Sequence, residues 1–394
     1  MLPIYNDCII NHQKGAKQPM KETQSLTHSG LNKTTRTDDA QTRVVVALSG
    51  GVDSAVAAGL LLREGFDVYG VTLQLWRAAS LPPSDIVDSA TAVTDTLHVA
   101  LRVVDLRDRF YEQVVAAFAD AYARGETPNP CVTCNPTIKF SALLAEAERV
   151  GAQWIATGHY ATINQSAGEV ATLSRARCRA RDQSYVLYRL DQSVLTRLKL
   201  PLGEFADKDH VRELARAWNL PVTARADSQD LCFMGGGDYR SLLQTLRPDA
   251  TQPGPIYDEA GTLLGEHRGL PFYTVGQREG LRIAAGQRLY VLRLEPERNA
   301  LIVGPGEHLL RDGCTLRAIT FTAGEAPSAK FSAAAQIRYR AAPVPAEVTL
   351  LDDDRARIAF ATPQRGVTPG QSLVFYQDDV AGCGVVLGGG FIEP

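Results

Sequence analysis

The segment Ser49-Gly50-Gly51-Val52-Asp53-Ser54 sets two glycines, two hydroxyls and a carboxylate between an apolar run and a largely apolar helical stretch. Glycines let the backbone turn sharply and bring its N–H groups against a phosphate, and a helix N-terminus adds positive potential there. Ser49 and Ser54 can donate hydroxyl hydrogen bonds, and Asp53 can organise the loop or a magnesium ion. It is not a Walker A loop, because no Lys follows the second glycine at the required spacing. A plain strand-to-helix turn also gathers glycines. The strict succession of all-Val strand, loop and apolar helix favours phosphate binding.

Two thiols three positions apart, Cys131 and Cys134, follow Thr127-Pro128-Asn129-Pro130. A zinc half-site would need two more ligands, and no second CxxC exists in the chain. A thioredoxin-like redox pair, or a single reactive thiol in a proline-stiffened loop, fits the spacing as well. Cys232 lies between Leu231 and Phe233, which suits a core thiol. The run Gly235-Gly236-Gly237 just after it leaves room for a close-approaching partner.

The elements that must hold these residues alternate. Val44-Val45-Val46-Ala47-Leu48 is a continuous apolar run, as expected of a parallel strand covered on both faces. A helix over 55–64, stopped by Gly65, and strand composition over 66–76 complete a βαβ unit, so the fold class is α/β. Strands over 101–105 and 154–157, and helices over 109–124, 140–150 and 211–219, continue the pattern. After Gly235 short β runs between turn signals take over, as in Pro255-Ile256-Tyr257 and the pair 347–351 and 357–361 around Asp352-Asp353-Asp354. They predict a small β-containing middle domain, then an antiparallel barrel or sandwich.

The 394 residues suit two or three domains, and residues 1–42, polar and without periodicity, read as a disordered extension. No run approaches the ~20 apolar residues of a membrane span, and no membrane partner is expected. Seven cysteines without a secretory signal argue for a reducing compartment, the cytoplasm. The net charge of −3 does not announce a nucleic-acid partner, so any such site must be a local basic patch.

The loop at Ser49 to Ser54 resembles the pyrophosphate loop of the ATP pyrophosphatase (N-type) superfamily. Those enzymes cleave ATP between its α and β phosphates and adenylate a carbonyl oxygen for a nucleophile to displace. Further segments narrow the resemblance: Thr127-Pro128-Asn129-Pro130 with Cys134-Asn135, Ile138-Lys139-Phe140, and Ala156-Thr157-Gly158-His159-Tyr160. Asp182-Gln183-Ser184-Tyr185, Cys232-Phe233, Gly276-Gln277-Arg278 with Gly280-Leu281, and Thr368-Pro369-Gly370-Gln371 follow in order. Together they are similar to the tRNA-specific 2-thiouridylase family (MnmA/TrmU type), from Arg43 to the C-terminus.

The resemblance implies an adenine nucleotide alpha hydrolase-like parallel-sheet catalytic domain over 43–235. A central domain over 236–306 and a C-terminal antiparallel β-barrel over 307–394 would follow. It implies ATP, with magnesium, contacted by Ala47, Leu48, Ser49, Gly50, Gly51, Val52, Asp53, Ser54, Leu73 and Gly158. Cys232 would carry a persulfide whose terminal sulfur attacks C2 of an adenylated wobble uridine. Cys134 would resolve the intermediate, leaving a transient Cys134–Cys232 disulfide or releasing sulfide. A helix N-terminus beside Cys134 would activate its thiol. Asn129, Pro130 and Cys131 would lie beside the flipped base. His159, Arg181, Asp182, Gln183, Arg338, Tyr339 and Gln371 would touch tRNA. A persulfide carrier protein would supply the sulfur.

Many members have Asp where this chain has Cys131, an Asp thought to act as acid or base near the target. The cysteine-containing stretch that many relatives carry at 79–93 is replaced here, and Arg181 stands where Lys is common. Two other readings remain at this point. An amidating or ligating ATP pyrophosphatase would have no need of Cys134 and Cys232, and a noncatalytic RNA-binding relative would release no AMP.

Overall fold

The computed structural model describes residues 41–76, 85–165, 168–222, 231–234, 238–284, 286–377 and 384–394. The expected extension up to residue 40, residues 79–84 of the replaced stretch 79–93, the glycine run 235–237, Cys8 and Cys383 lie outside the described residues.

Strand β1 (Arg43–Ala47) pairs in parallel with β2 (Asp67–Gln74) on one side and β4 (Trp154–Ala156) on the other. β3 (Ala100–Asp105) and β7 (Leu198–Lys199) complete a five-stranded parallel sheet in the order β3-β2-β1-β4-β7. The Val run of β1 is explained by burial on both faces. Val44 and Val46 pack with Ala55, Val56 and Leu61 of helix α1 (Val52–Arg63), whereas Val45 packs with Phe140 and Leu143 on the opposite face. The strand order reverses direction at β1 and β4, and ligands of such sheets bind beyond the carboxyl ends of the strands flanking that point. The glycine loop follows β1, and Thr157 to Tyr160 follow β4.

Three helices of the parallel-sheet half depart from the sequence expectation. Helix α2 (Asp85–Leu97) was not anticipated, and it presses on the glycine loop. The helix expected over 109–124 spans 107–123 as Arg107–Phe110, Tyr111–Ala116 and Ala117–Ala123, with the middle segment wound as a π-turn (α3). The helix expected from residue 140 begins ten residues earlier, as Pro130–Cys134, Asn135–Phe140 and Ser141–Arg149 (α4). Its start is set by Asn129, whose Oδ1 accepts from Cys131 N at 3.1 Å, and by Pro130 in the first turn. The prolines thus start a helix and do not stiffen a loop.

Helix α5 (Lys208–Ala217) packs on α1, and helix α6 (Tyr239–Leu246) leads into the β-rich half. There β8 (Gly254–Asp258), β9 (Leu263–His267), β10 (Tyr290–Glu295) and β11 (Ala300–Gly304) form a sheet in the order β10-β11-β8-β9. The last six strands, from Leu310–Phe321 to Val386–Ile392, close into an antiparallel barrel, which decides between barrel and sandwich. The cores run across these parts. Phe110, Cys134 and Ile138 share one cluster with Phe233, Ile256 and Val303, and Val45, Tyr185 and Tyr188 share another with Val374, Tyr376 and Val386.

Candidate active site

The loop after β1 is held from several sides. Gly50 has φ +72°, and a Cβ there would meet Ser89 of α2 at 2.7 Å, so no other residue fits without a shift. Gly51 caps α1 with no side-chain hydrogen bond, which leaves the first N–H groups of the helix for a ligand. Ser54 accepts from Ser49 N at 3.1 Å and donates to the Gly51 carbonyl at 3.0 Å, with Ser49 Oγ 3.2 Å away. Its buried hydroxyl therefore staples the loop.

Asp53 received two alternative roles from the sequence, and its contacts match loop organisation. Oδ1 accepts from Tyr160 Oη at 2.8 Å and Oδ2 faces Lys208 Nζ at 2.9 Å. Neither partner was given a role from sequence; Tyr160 closes the recognised segment 156–160, and Lys208 opens a helix 155 residues away. Gly158 lies against the same turn: a Cβ would fall 2.8 Å from the Asp53 carbonyl carbon and the Ser54 nitrogen. Among the described residues no group of three His, Cys, Asp or Glu could hold a metal ion. Ala47 and Leu73 are half-buried at the carboxyl ends of β1 and β2, whereas Leu48 is buried and donates its N–H to the Val71 carbonyl at 2.7 Å.

The second half of the site is α4. Cys134 is buried, Cys131 half-buried and Cys232 exposed. Phe233 anchors the Cys232 segment, with its ring 5.9 Å from Phe110, 5.3 Å from Phe118 and 6.4 Å from Trp76. Asn135 ties the helix down by donating to the Val186 carbonyl at 2.8 Å. Burial pushes the Cys134 thiol up to about 12, Lys139 pulls it down, and the charges of Cys232 and Cys131 push it further up. The Cys232 thiol is also raised, by the surrounding protein first, with Lys139 again opposing and Cys131 reinforcing. Burial thus dominates at Cys134, and the one side-chain charge that opposes it is Lys139, which sequence reading left without a role.

Lys139 itself is held protonated. Burial works against the ammonium, and the electrostatic interaction with Cys134, Cys232 and Cys131 works for it and outweighs burial. Next to it, His159 stacks on Phe140 at 6.0 Å and places Nδ1 2.8 Å from Thr157 Oγ1. Burial first, then Lys139, push the imidazole down to about 3, so it is neutral near pH 7. The dipeptide Gly158-His159 joins the halves, since Gly158 touches the glycine loop and His159 touches the cysteine helix.

Several residues expected to touch tRNA have internal partners. Asp182 accepts from Ala176 N, Ser184 N and Ser184 Oγ at 3.0, 3.2 and 2.9 Å, and Gln183 Oε1 accepts from Tyr160 N at 2.9 Å. Arg181 is half-buried at the start of this turn. Gln371 donates Nε2 to the Thr127 carbonyl at 2.5 Å, and Thr127 N donates to the Pro369 carbonyl at 2.8 Å. The barrel thereby clasps the segment that enters α4. Arg338 and Arg340 are exposed on a turn, and Tyr339 lies 5.8 Å from Tyr185.

Residues 42–236 match the family described as the tRNA methyl transferase HUP domain. Residues 241–305 match the tRNA methyl transferase PRC-barrel domain, and 311–392 the aminomethyltransferase beta-barrel domain. The chain is 46% identical over 372 residues to the tRNA-specific 2-thiouridylase MnmA of Roseiflexus castenholzii, covering 89% of this chain and 99% of that protein. The chain belongs to the tRNA-specific 2-thiouridylase family. Its likeness to the enzyme of that name from Moorella thermoacetica is 45% over 360 residues, 89% of this chain and 99% of that one. For the Methylorubrum extorquens enzyme it is 46% over 364 residues, 90% of this chain and 94% of the relative. Within this family the chain combines the sheet, loop and barrel with Cys134 and Cys232. No helix among the described residues is long and apolar enough to cross a membrane.

Proposed function

We propose that this protein is an ATP-dependent sulfurtransferase that makes 2-thiouridine at the wobble position of tRNA. The observation that carries the reading is the junction at Gly158-His159, with a phosphate-type loop on one side and the helix that bears Cys131 and Cys134 on the other. Family membership supports the substrate, since relatives such as that of Roseiflexus castenholzii are named tRNA-specific 2-thiouridylases.

In this reading the N–H groups of Gly50 to Ser54 receive the phosphates, with Ala47, Leu48, Leu73 and Gly158 walling the nucleotide. Magnesium arrives with the triphosphate, because Asp53 is already engaged by Lys208 and Tyr160. The uridine, flipped out beside Asn129, Pro130 and Cys131, attacks the α phosphate through O2, and pyrophosphate leaves. The terminal sulfur of a Cys232 persulfide then attacks C2 and AMP leaves. Cys134 attacks the Cys232 sulfur, breaking its bond to the sulfur on C2. The base keeps that sulfur, and the two cysteines, oxidised to a disulfide, are reduced by an external thiol before the next turnover. A persulfide carrier protein reloads Cys232, in the cytoplasm. Of the residues assigned to tRNA, exposed Arg338 suits the backbone; Asp182, Gln183 and Gln371 act by holding the site's loops.

Mass analysis of wobble uridines from cells lacking this protein tests the reading. Loss of 2-thiouridine from the affected tRNAs is expected, and an unchanged nucleoside profile contradicts it.

A further inference from the structure

We propose that Lys139 is the cation on which Cys131, Cys134 and Cys232 converge, and that its ammonium opposes burial and eases deprotonation of the sulfur nucleophiles while sulfur is passed. The proposal deepens the sulfurtransferase reading and rests on it for its role in turnover.

The helix register brings the groups together. Cys131 and Cys134 are three residues apart in the first turn of α4, so they share a face. In an α-helix the fifth residue after Cys134 would point away from it. Here residues Asn135–Phe140 are wound as a π-turn, whose i to i+5 closure carries Lys139 back towards Cys134. Ile138 and Phe140, fully buried on either side, fix that turn. Cys232 comes from the other direction, delivered by Phe233, which shares a core cluster with Cys134 and Ile138.

The surroundings leave the ammonium to the thiols. Among the described residues Lys139 makes no ion pair with a carboxylate. Among the described residues the titratable groups that act on it are the three thiols and His159, whose ring is kept neutral and so does not compete for the sulfurs. Arg109, reaching the same turn from α3, is bound to the Thr137 carbonyl at 2.5 Å. All three thiols act on Lys139 in one sense, favouring its charge, and Lys139 acts on Cys134 and Cys232 in the reciprocal sense. Such a charge opposes burial, which favours the inert thiol.

The test reads thiol chemistry without tRNA. Iodoacetamide alkylation of Cys232 is followed by peptide mass analysis across pH in the full chain, for wild type, K139M, K139Q and K139R. Loss of the charge is expected to slow Cys232 alkylation about tenfold near neutral pH and to move its midpoint up by about one unit, the lower end of the effect of one nearby charge. K139R is expected to follow wild type. Any result other than an upward shift in both neutral variants with K139R unmoved overturns the proposal. A shift seen in a protein that thiolates no tRNA would retain the electrostatic role and remove the sulfurtransferase reading.

Discussion

Lys208 Nζ lies 2.9 Å from Asp53 Oδ2, so the first turn of α5 holds the carboxylate of the glycine loop. The Lys208 side chain is 7% exposed and that of Asp53 30%, which makes the pair half-sheltered. K208M is expected to lose about 1–3 kcal/mol, less than the ~3–5 of a fully buried pair broken on one side. The double variant D53N/K208M should be less destabilised than K208M, because no carboxylate is then stranded. Urea unfolding of the set checks both statements, and equal losses would remove the pair from the account.

Gly158 packs its α-carbon on the backbone of Asp53 and Ser54. In G158A the added methyl must displace main chain and not a flexible side chain, so the loop that binds phosphate moves. ATP affinity by calorimetry is expected to fall at least about tenfold, ~1.4 kcal/mol. An unaltered affinity would show that the loop tolerates the shift.

Gln371 links the barrel to Thr127, three residues before α4 begins. Q371A removes one hydrogen bond, worth about 1 kcal/mol, and frees the segment carrying Asn129 and Pro130. ATP binding should persist while the single-turnover thiolation rate falls. The opposite split would assign Gln371 to the nucleotide half.

How much of this was readable in advance depended on whether the signal was local. The run Val44-Val45-Val46 declares burial on both faces, and its strand and loop were legible directly. Helix α2 was not, because Asp85, Ser89, Thr91, Thr94 and Thr96 are weak helix formers and its packing on Gly50 is a tertiary fact. The N-terminal turn of α4 was open to reading as a proline-stiffened loop ahead of the helix, although proline also favours a first turn. Lys139 was visible only as part of a motif. Its neighbours come from three separate segments and a π-turn, which no spacing rule reports.

The neutral His159 predicts an acid dependence. Its folded value, about 3, lies below the ordinary histidine value, so folding excludes the proton. The stability gained is full above about pH 6.5 and is lost as pH falls towards 3. Between pH 7 and pH 4 the melting temperature of wild type should therefore fall more than that of H159N. Parallel curves would mean that the ring charges freely in the folded protein.

The most direct test of the central claim is nucleoside mass analysis after incubating the full chain with ATP, wobble-uridine tRNA and a persulfide donor. Wild type should form 2-thiouridine with one AMP released per thiolated base, and C134S and C232S should each form none above background. Full thiolation by either variant, or thiolation without AMP, would contradict the account.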